Sequence, residues 1–380
     1  MEFSLTFEQA ALKDAVARFV ADSHSFEVAR SLAASSGFSS DHWNNFADFG
    51  WLALRVSENR GGLAASPIEA ALIMEEFGRG LVAAPYVSTA VLAARLLDGA
   101  GGAQAAVDRL IAGEAVFSVA PLEGTVPAGE VLRARDAGNG YVLSGRVPLC
   151  LDGGVATDFI LPARLDDTQG WCLFHVPAST AGLGRRTYRS IDQRSIADLQ
   201  LDSVRIGPEG LLAGSTDASK RLGEAFDEAR LALAAEALGL MEAAIDVTAA
   251  YLGQRRQFGR PLSSYQVLTH RVADMLVRKD HARSMLYRGL AHLCEIPSVR
   301  EAAVSAAMVA IIERGEFICS QAIQLHGGIG MTEEHVVGHY YKRLRAIGRT
   351  WGDLNWHMDR FMARTGARAQ VQPTHEEMVA

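Results

Sequence analysis

The chain has 380 residues, of which 49% are hydrophobic, and a formal net charge of -7 with both signs interspersed. This length is enough for two or three domains with a sizeable buried core. The chain has no Lys/Arg block or basic stripe, which argues against nucleic acid or anionic membrane as a partner, and no apolar run is long enough for a membrane span. The four cysteines are scattered and the N-terminus lacks a signal-peptide pattern, which together predict a cytoplasmic protein.

The first region, residues 1–115, is predicted to be helical. Thr6 and Gln9 have the spacing of a capping box, which marks the start of a first helix. Gly50 predicts the end of an aromatic-rich helix. Ser66 followed by Pro67 predicts another helix start, with Ser as the N-cap and Pro in the first turn.

The middle region, residues 116–215, has a different pattern, because short apolar runs broken by Gly, Pro and Asp replace the helical period. This spacing predicts a small antiparallel sheet or barrel. The predicted strands are 116–119, 131–134, 141–143, 159–163, 172–176 and 198–201.

Helices return in the last region. Residues 218–254 contain no proline and are rich in Ala, Leu and Glu, which predicts one helix of roughly 50 Å at about 1.5 Å per residue. Pro261 separates this helix from a second, Pro297 separates the second from a third, and a fourth follows the Gly-rich turn at 327–330. Four long helices with short connections predict a bundle.

Two motifs in this last region are specific when they are taken together. The first is 255–262, Arg-Arg-Gln-Phe-Gly-Arg-Pro-Leu, followed by Gln266, and the second is 324–330, Gln-Leu-His-Gly-Gly-Ile-Gly. This pair, in order on adjacent predicted helices, resembles the C-terminal signatures of the acyl-CoA dehydrogenase family. The resemblance covers essentially the whole chain.

The resemblance implies an α+β fold in three domains with a short tail. The implied parts are an N-terminal α-helical domain (1–115), a middle antiparallel β domain (116–215), a C-terminal four-helix bundle (216–368) and a loose polar tail (369–380).

The resemblance also implies FAD as cofactor, acyl-CoA as substrate and electron-transfer flavoprotein as electron acceptor. In that family a carboxylate removes the α-proton of the thioester while the β-hydrogen leaves as hydride to the flavin. The C-terminal helices of a neighbouring subunit hold the nucleotide end of FAD. The residues implied to do so here are Arg255, Phe258, Gln266, Gln324, Gly327 and Gly328.

The chemistry of these six residues suits the nucleotide half of FAD. Arg255 would pair with the pyrophosphate, because a guanidinium offers a planar fork of donors to phosphate. Phe258 would pack beside the adenosine portion, and the two glutamines would hydrogen-bond the cofactor across the interface. The two glycines would let the backbone come close to it, because they lack the Cβ that keeps a backbone away.

The positions of the family's catalytic carboxylate hold other residues here. Trp351 stands where most members have Glu, and Asp353 stands where they have Thr. Other members place the base directly before an Arg on the long first helix, and here Ala229 precedes Arg230. Glu228 is one position away, which turns its side chain by about 100° around the helix, so it is predicted to point elsewhere.

The predicted flavin-facing part of the sheet also departs from the family pattern. The run 118–124, Ser-Val-Ala-Pro-Leu-Glu-Gly, lacks the family's hydroxyl residue followed by Glu-Pro, and Leu149-Cys150-Leu151 replace Trp-Ile-Thr. Val119 and Leu151 have no side-chain donor for the ring, and Leu149 cannot shield it as an indole would.

Three hypotheses remain open from the sequence. In the first, the chain is the supporting subunit of a heteromeric acyl-CoA dehydrogenase, resembling bacterial enzymes that act on steroid side-chain thioesters. In the second, it is an autonomous homo-oligomer that uses Glu228 or Asp353 as a displaced base. In the third, it is a non-catalytic binding or assembly protein on the same fold. His335 and His339 have metal-ligand spacing but are better explained by a polar helix start, so no metal site is predicted.

Overall fold

The structure is a computed structural model that describes residues 4–35, 37–121, 132–166 and 170–366. The chain divides into two units, residues 1–243 and 244–380. The helical N-terminal region, the central sheet and the helical C-terminal region confirm the α+β fold class. The predicted tail (369–380), the 122–124 part of the sheet motif and Val131 lie outside the described residues.

Two of the N-terminal helices begin where their capping residues predict. The Thr6 hydroxyl accepts the N–H of Gln9, and the Gln9 side chain accepts the N–H of Thr6, which completes the capping box. Ser66 caps the helix that Pro67 opens. The α-helices of this region are α1 (Phe7–Ser23), α2 (Phe26–Ala34), α3 (Ser40–Asp48), α4 (Pro67–Gly80), α5 (Ala94–Asp98) and α6 (Gln104–Ile111), and a π-helical segment, Val87–Ala93, leads into α5.

The sheet has a buried core and a strand order of β6-β7-β3-β2-β4-β5-β8, with β1 paired to β4 beside that path. The strands are β1 (Phe117–Val119), β2 (Arg133–Asp136), β3 (Tyr141–Leu151), β4 (Asp158–Leu165), β5 (Trp171–Pro177), β6 (Leu183–Arg189), β7 (Ser195–Ile206) and β8 (Leu211–Ala213).

The prediction that the sheet is antiparallel is wrong for two of its strand pairings. Both β1 and β2 pair with β4 in parallel, so the sheet is mixed, whereas the other pairings are antiparallel. The pattern of apolar runs predicts that a strand exists but not the direction of the strand beside it. Strands β6 and β8 have no counterpart among the predicted strands.

The C-terminal region begins with α7 (Ala218–Gln254), whose bounds confirm the predicted helix. It continues with a short hairpin of β9 (Arg256–Gln257) and β10 (Arg260–Pro261), then α8 (Gln266–Ala291) and α9 (Pro297–His326).

The predicted fourth helix of the bundle is in fact two helices, α10 (Val336–Ile347) and α11 (Leu354–Thr365). The break falls at Trp351 and Gly352, whose φ angles are 57° and 129°, and a right-handed helix cannot continue through such values. In the described part of the chain, no helix is long and apolar enough to cross a membrane.

Candidate functional site

The first motif folds into a hairpin that presents an aromatic ring to solvent. Gln257 pairs with Arg260, and the two residues between them have φ of 51° at Phe258 and 83° at Gly259. Two successive positive φ values make a type I′ turn, in which a bulky residue such as Phe is strained. The Phe258 side chain is 90% exposed, and its ring meets the Tyr265 ring edge-on at 6.5 Å between centroids, so the strained residue gains little burial among the described residues. Such a feature is typical of a residue that contacts another molecule.

The second motif lies at the same end of the second unit as the hairpin. The Tyr251 ring, one turn before Arg255, stacks on the His326 ring with 4.5 Å between the centroids. Helices α8 and α9 are joined by a short connection and run antiparallel, with Arg278 over the Phe317 ring at 3.9 Å. This register places Gln266, at the start of α8, level with the turn that follows α9.

Three of the predicted site residues have exposed side chains that make no polar contact with the described residues. Among the residues that the structure describes, the side chains of Arg255, Gln266 and Gln324 form no hydrogen bond or ion pair. The neighbouring Arg256 donates to the Gly259 carbonyl at 3.3 Å. The N–H groups in the first turn of α8 point toward the same end, and no side chain of a described residue caps them. A guanidinium beside a free helix N-terminus suits a phosphate group.

The structural reason for glycine differs among the glycine positions of the second motif. Gly327 has φ 68° and ψ -142°, a conformation that other residues rarely adopt. A Cβ on Gly330 would lie 2.9 Å from the Ile323 carbonyl oxygen, so packing requires glycine there. Gly328 has neither constraint, because its φ is not positive and a Cβ would meet nothing within 4 Å. An external group that approaches the backbone would explain glycine at this position.

Glu228, one of the two displaced-base candidates, is held in a buried ion-pair cluster within the first unit. Arg55 donates to both of its carboxylate oxygens, and the Nη2–Oε2 distance is 3.1 Å. Arg95 lies 3.3 Å from the same carboxylate. The side chains of Arg55 and Glu228 are only 9% and 8% exposed, so this carboxylate is paired and shielded. Ala229, at the family's alternative base position, is fully buried.

Asp353, the other candidate base, is the N-cap of α11. Its Oδ1 accepts the N–H of Trp356 at 2.9 Å, and its Oδ2 lies 3.2 Å from Arg349 Nη1. Trp351, at the position of the usual catalytic Glu, is 4% exposed and so contributes a buried apolar ring there. Both candidate carboxylates therefore have structural partners.

The predicted flavin-facing strands also have their polar groups engaged inside the sheet. The Ser118 hydroxyl donates to the Leu151 carbonyl at 2.6 Å, and Val119 is buried. Leu149 has φ 58° and is 43% exposed, and its N–H donates to Asp198 at 3.1 Å. Burial raises the pKa of the Cys150 thiol, so it remains protonated at neutral pH. No side-chain donor of these five positions faces outward.

The two histidines with metal-ligand spacing have roles at the start of α10. His335 Nδ1 accepts the N–H of Val337 at 3.4 Å and caps the helix, as the polar helix start predicts. His339 Nε2 lies 3.0 Å from the Glu333 carbonyl oxygen. Within the described ranges, no three His, Cys, Asp or Glu side chains cluster closely enough to hold a metal ion.

The comparison with known families identifies the chain. Residues 220–365 match the acyl-CoA dehydrogenase C-terminal domain, and residues 6–107 match the acyl-CoA dehydrogenase N-terminal domain. The chain belongs to the acyl-CoA dehydrogenase family. Members of this family bind FAD, so the predicted family and its cofactor are confirmed.

Similar proteins cover nearly the whole chain. Probable acyl-CoA dehydrogenase YngJ of Bacillus subtilis is 29% identical over 93% of this chain and 97% of its own length. Acyl-CoA dehydrogenase FadE27 of Mycobacterium tuberculosis is 27% identical over 87% of this chain and 90% of its own. Among solved structures, a chain of the ChsE4–ChsE5 complex from Mycobacterium tuberculosis has a TM-score of 0.87 at 26% identity and covers 98% of this chain and 100% of that chain.

A second similar structure is the steroid ACAD Tcur3481–Tcur3483, with a TM-score of 0.84 at 25% identity. It covers 96% of this chain and 99% of that one. Both structures are named for two unlike components, so this architecture occurs in assemblies of that kind.

Proposed function

We propose that this chain is the supporting subunit of a heteromeric, flavin-dependent acyl-CoA dehydrogenase. Its C-terminal edge, by which we mean the hairpin 255–262, the start of α8 and the Gly-rich turn 324–330, would hold the nucleotide half of an FAD. The flavin ring would lie in the pocket of a sister chain, meaning a second family member that carries the catalytic Glu. The observation that carries the proposal is a contrast between two sets of groups. The polar groups at the C-terminal edge are exposed and unused, whereas the carboxylates and donors expected at a reaction centre are engaged.

The residues of the C-terminal edge fit the nucleotide half of FAD. Arg255 would pair with the pyrophosphate, and the open N-terminus of α8 would add N–H donors. Phe258 would pack against the adenosine portion, which would compensate for its strained backbone. Gln266 and Gln324 would donate or accept hydrogen bonds. Gly327 and Gly328 would leave room for the cofactor beside the backbone.

FAD, when bound, supplies the hydride acceptor for α,β-oxidation of an acyl-CoA thioester. Removal of the α-proton needs a carboxylate that is free to accept it. In this chain Glu228 is neutralised by Arg55 and Arg95, and Asp353 caps a helix, so neither is free. The sister chain would therefore supply the base, and electron-transfer flavoprotein would reoxidise the assembly.

The alternatives differ from this proposal in what they need. An autonomous enzyme needs Glu228 or Asp353 to leave its present partners, and no contact in the described structure favours that. A non-catalytic assembly protein needs no cofactor, and it would leave the strain at Phe258 and the glycine at Gly328 without a reason. The heteromeric subunit explains both features.

The proposal is tested by producing the chain alone and together with candidate sister chains from the same genome. We expect the chain alone to purify without flavin, and the correct pair to purify yellow with less than one FAD per chain. Replacing Arg255 by Ala should weaken FAD binding by the pair roughly 10- to 100-fold, because a charge-assisted hydrogen bond to phosphate is lost. Flavin absorbance, protein concentration and titration of FAD into the stripped pair provide these values.

The matched control is Arg288→Ala. Arg288 is also an exposed arginine and lies on the same helix as Gln266, but in its last turn, at the other end of α8. It should leave FAD binding unchanged. The proposal fails if the chain alone binds FAD and is bleached by an acyl-CoA, or if no sister chain yields a flavin-containing pair.

A further inference from the structure

Three aromatic rings join the separate segments of the C-terminal edge. His326, the last residue of α9, lies between Tyr251 of α7 and His335, which caps α10. Its ring centroid is 4.5 Å from that of Tyr251, nearly parallel at 28°, and 4.4 Å from that of His335, tilted by 52°. We refer to these three residues as the ring stack.

The orientation of the His326 ring is fixed from within α9. Its Nδ1 lies 2.8 Å from the Ala322 carbonyl oxygen, one turn earlier, and the residue is 3% exposed. Burial lowers its pKa, so the imidazole is neutral at pH 7 and Nδ1 carries the proton that is donated to this carbonyl. The ring therefore presents a fixed flat surface to Tyr251.

Both partners of this contact lead directly to residues of the nucleotide site. The Tyr251 carbonyl accepts the N–H of Arg255 at 2.8 Å, which is the last hydrogen bond before the hairpin. Gly327 follows His326 in the chain and begins the Gly-rich turn. The Tyr251–His326 contact is thus one residue from the turn and one helical turn from the hairpin.

We infer that the ring stack is the positioning element of the nucleotide site, because it sets the spacing between the Arg255 hairpin and the Gly327–Gly328 turn. This inference rests on the proposed function and adds residues outside the set proposed to contact the cofactor. A pyrophosphate held from two sides needs both sides at the correct separation. Loss of the stack would let the hairpin shift relative to the turn while every donor remained present.

The test compares replacements that remove a ring with replacements that keep one. His326→Leu and Tyr251→Leu remove the stacked ring at similar bulk, whereas His326→Phe and Tyr251→Phe keep it. We expect the leucine variants of the pair to bind FAD about tenfold more weakly, since each lost aromatic contact has that order of effect, and the phenylalanine variants to stay within about threefold. The measurement is titration of FAD into the stripped pair.

A second measurement uses this chain without cofactor. Amide hydrogen exchange across residues 255–262 should become faster in both leucine variants and remain unchanged in both phenylalanine variants. The matched control is His292→Leu, because His292 Nδ1 also bonds a carbonyl one turn earlier, at 2.8 Å on Arg288, but the residue is only half-buried and lies at the other end of α8. It should change neither FAD affinity nor exchange in the hairpin.

The inference and the proposed function fail in different ways. If the wild-type pair binds FAD and the leucine variants bind it equally well, the inference is wrong and the proposed function stands. If the phenylalanine variants lose affinity as fully as the leucine variants, stacking is not the cause and the inference is also wrong. If the wild-type pair binds no FAD, the proposed function fails. Faster amide exchange across residues 255–262 in the leucine variants would still show that the ring stack holds the hairpin in place. Should His326→Leu not fold, Tyr251→Leu tests the same contact from a half-buried position.

Discussion

Removal of the Glu228 carboxylate separates a structural role from a catalytic one. In the structure this carboxylate accepts from two nitrogens of Arg55 and lies 3.3 Å from Arg95. Glu228→Leu leaves the Arg55 guanidinium buried with one remaining hydrogen bond, to the Ala65 carbonyl. We therefore expect a loss of folding stability, and no specific loss of chemistry, from this substitution.

The size of the loss follows from the exposure of the partners. Removing one member of a buried ion pair costs of order 3–5 kcal/mol, because the other charge is left without compensation. Arg55 is 9% exposed and belongs to this class, whereas Arg95 is 39% exposed and can turn toward water. We expect Glu228→Leu to lower the free energy of unfolding by about 3 kcal/mol, and Arg95→Ala by no more than about 1 kcal/mol.

Urea unfolding at pH 7, monitored by far-UV circular dichroism, measures these losses. They are calculated from the shift in the urea midpoint, provided that the dependence of the unfolding free energy on urea concentration is unchanged. The double variant Arg55→Met with Glu228→Leu replaces both charges by apolar groups. It should regain most of the stability and unfold within about 1 kcal/mol of the wild type. A free energy of unfolding for Glu228→Leu within about 0.5 kcal/mol of the wild-type value would refute the structural reasoning. Glu228→Gln that abolishes dehydrogenation at unchanged stability would instead establish Glu228 as the base.

Two further predictions concern stability in the first unit. In Gly239→Ala the new Cβ would meet the Glu75 carbonyl oxygen where α4 and α7 approach, so we expect the free energy of unfolding to fall by at least about 2 kcal/mol. Gly223→Ala, in open space on the same helix, should raise the free energy of unfolding by up to about 1 kcal/mol. Burial, together with His42, lowers the pKa of His24 from 6.5 to about 4. The folded state therefore binds this proton less tightly than the unfolded chain. Stability should be unaffected above roughly pH 7 and fall by about 3 kcal/mol as the pH drops from 6.5 toward 4, and His24→Leu should remove that part of the decline.

The same urea midpoints test both. Equal effects of the two alanine substitutions would show that the close approach of α4 and α7 relaxes without strain. Parallel pH profiles of wild type and His24→Leu between pH 7 and 5 would show that His24 is protonated as readily in the folded chain as in the unfolded one.

The sequence alone determines those features that depend on neighbouring residues. Thr6 and Gln9 predict a capping box, Ser66 and Pro67 predict a helix start, and the proline-free stretch 218–254 predicts one helix, and all three are confirmed. Each depends on local propensity or on hydrogen bonds within one turn, which a few adjacent residues specify. The two C-terminal motifs identify the family for a similar reason, since each is a short continuous segment.

Tertiary structure alone decides those features that depend on distant partners. Strand β6 is polar and mostly exposed, and it is a strand because β7 pairs with it along its length. The parallel pairing of β1 and β2 with β4 has no local signal. Glu228 is ion-paired because Arg55, 173 positions earlier in the chain, reaches it. Tyr251 and His326 meet only because α7 and α9 end at the same place. A pattern read along the chain carries propensity, but a contact between distant residues depends on how the elements pack.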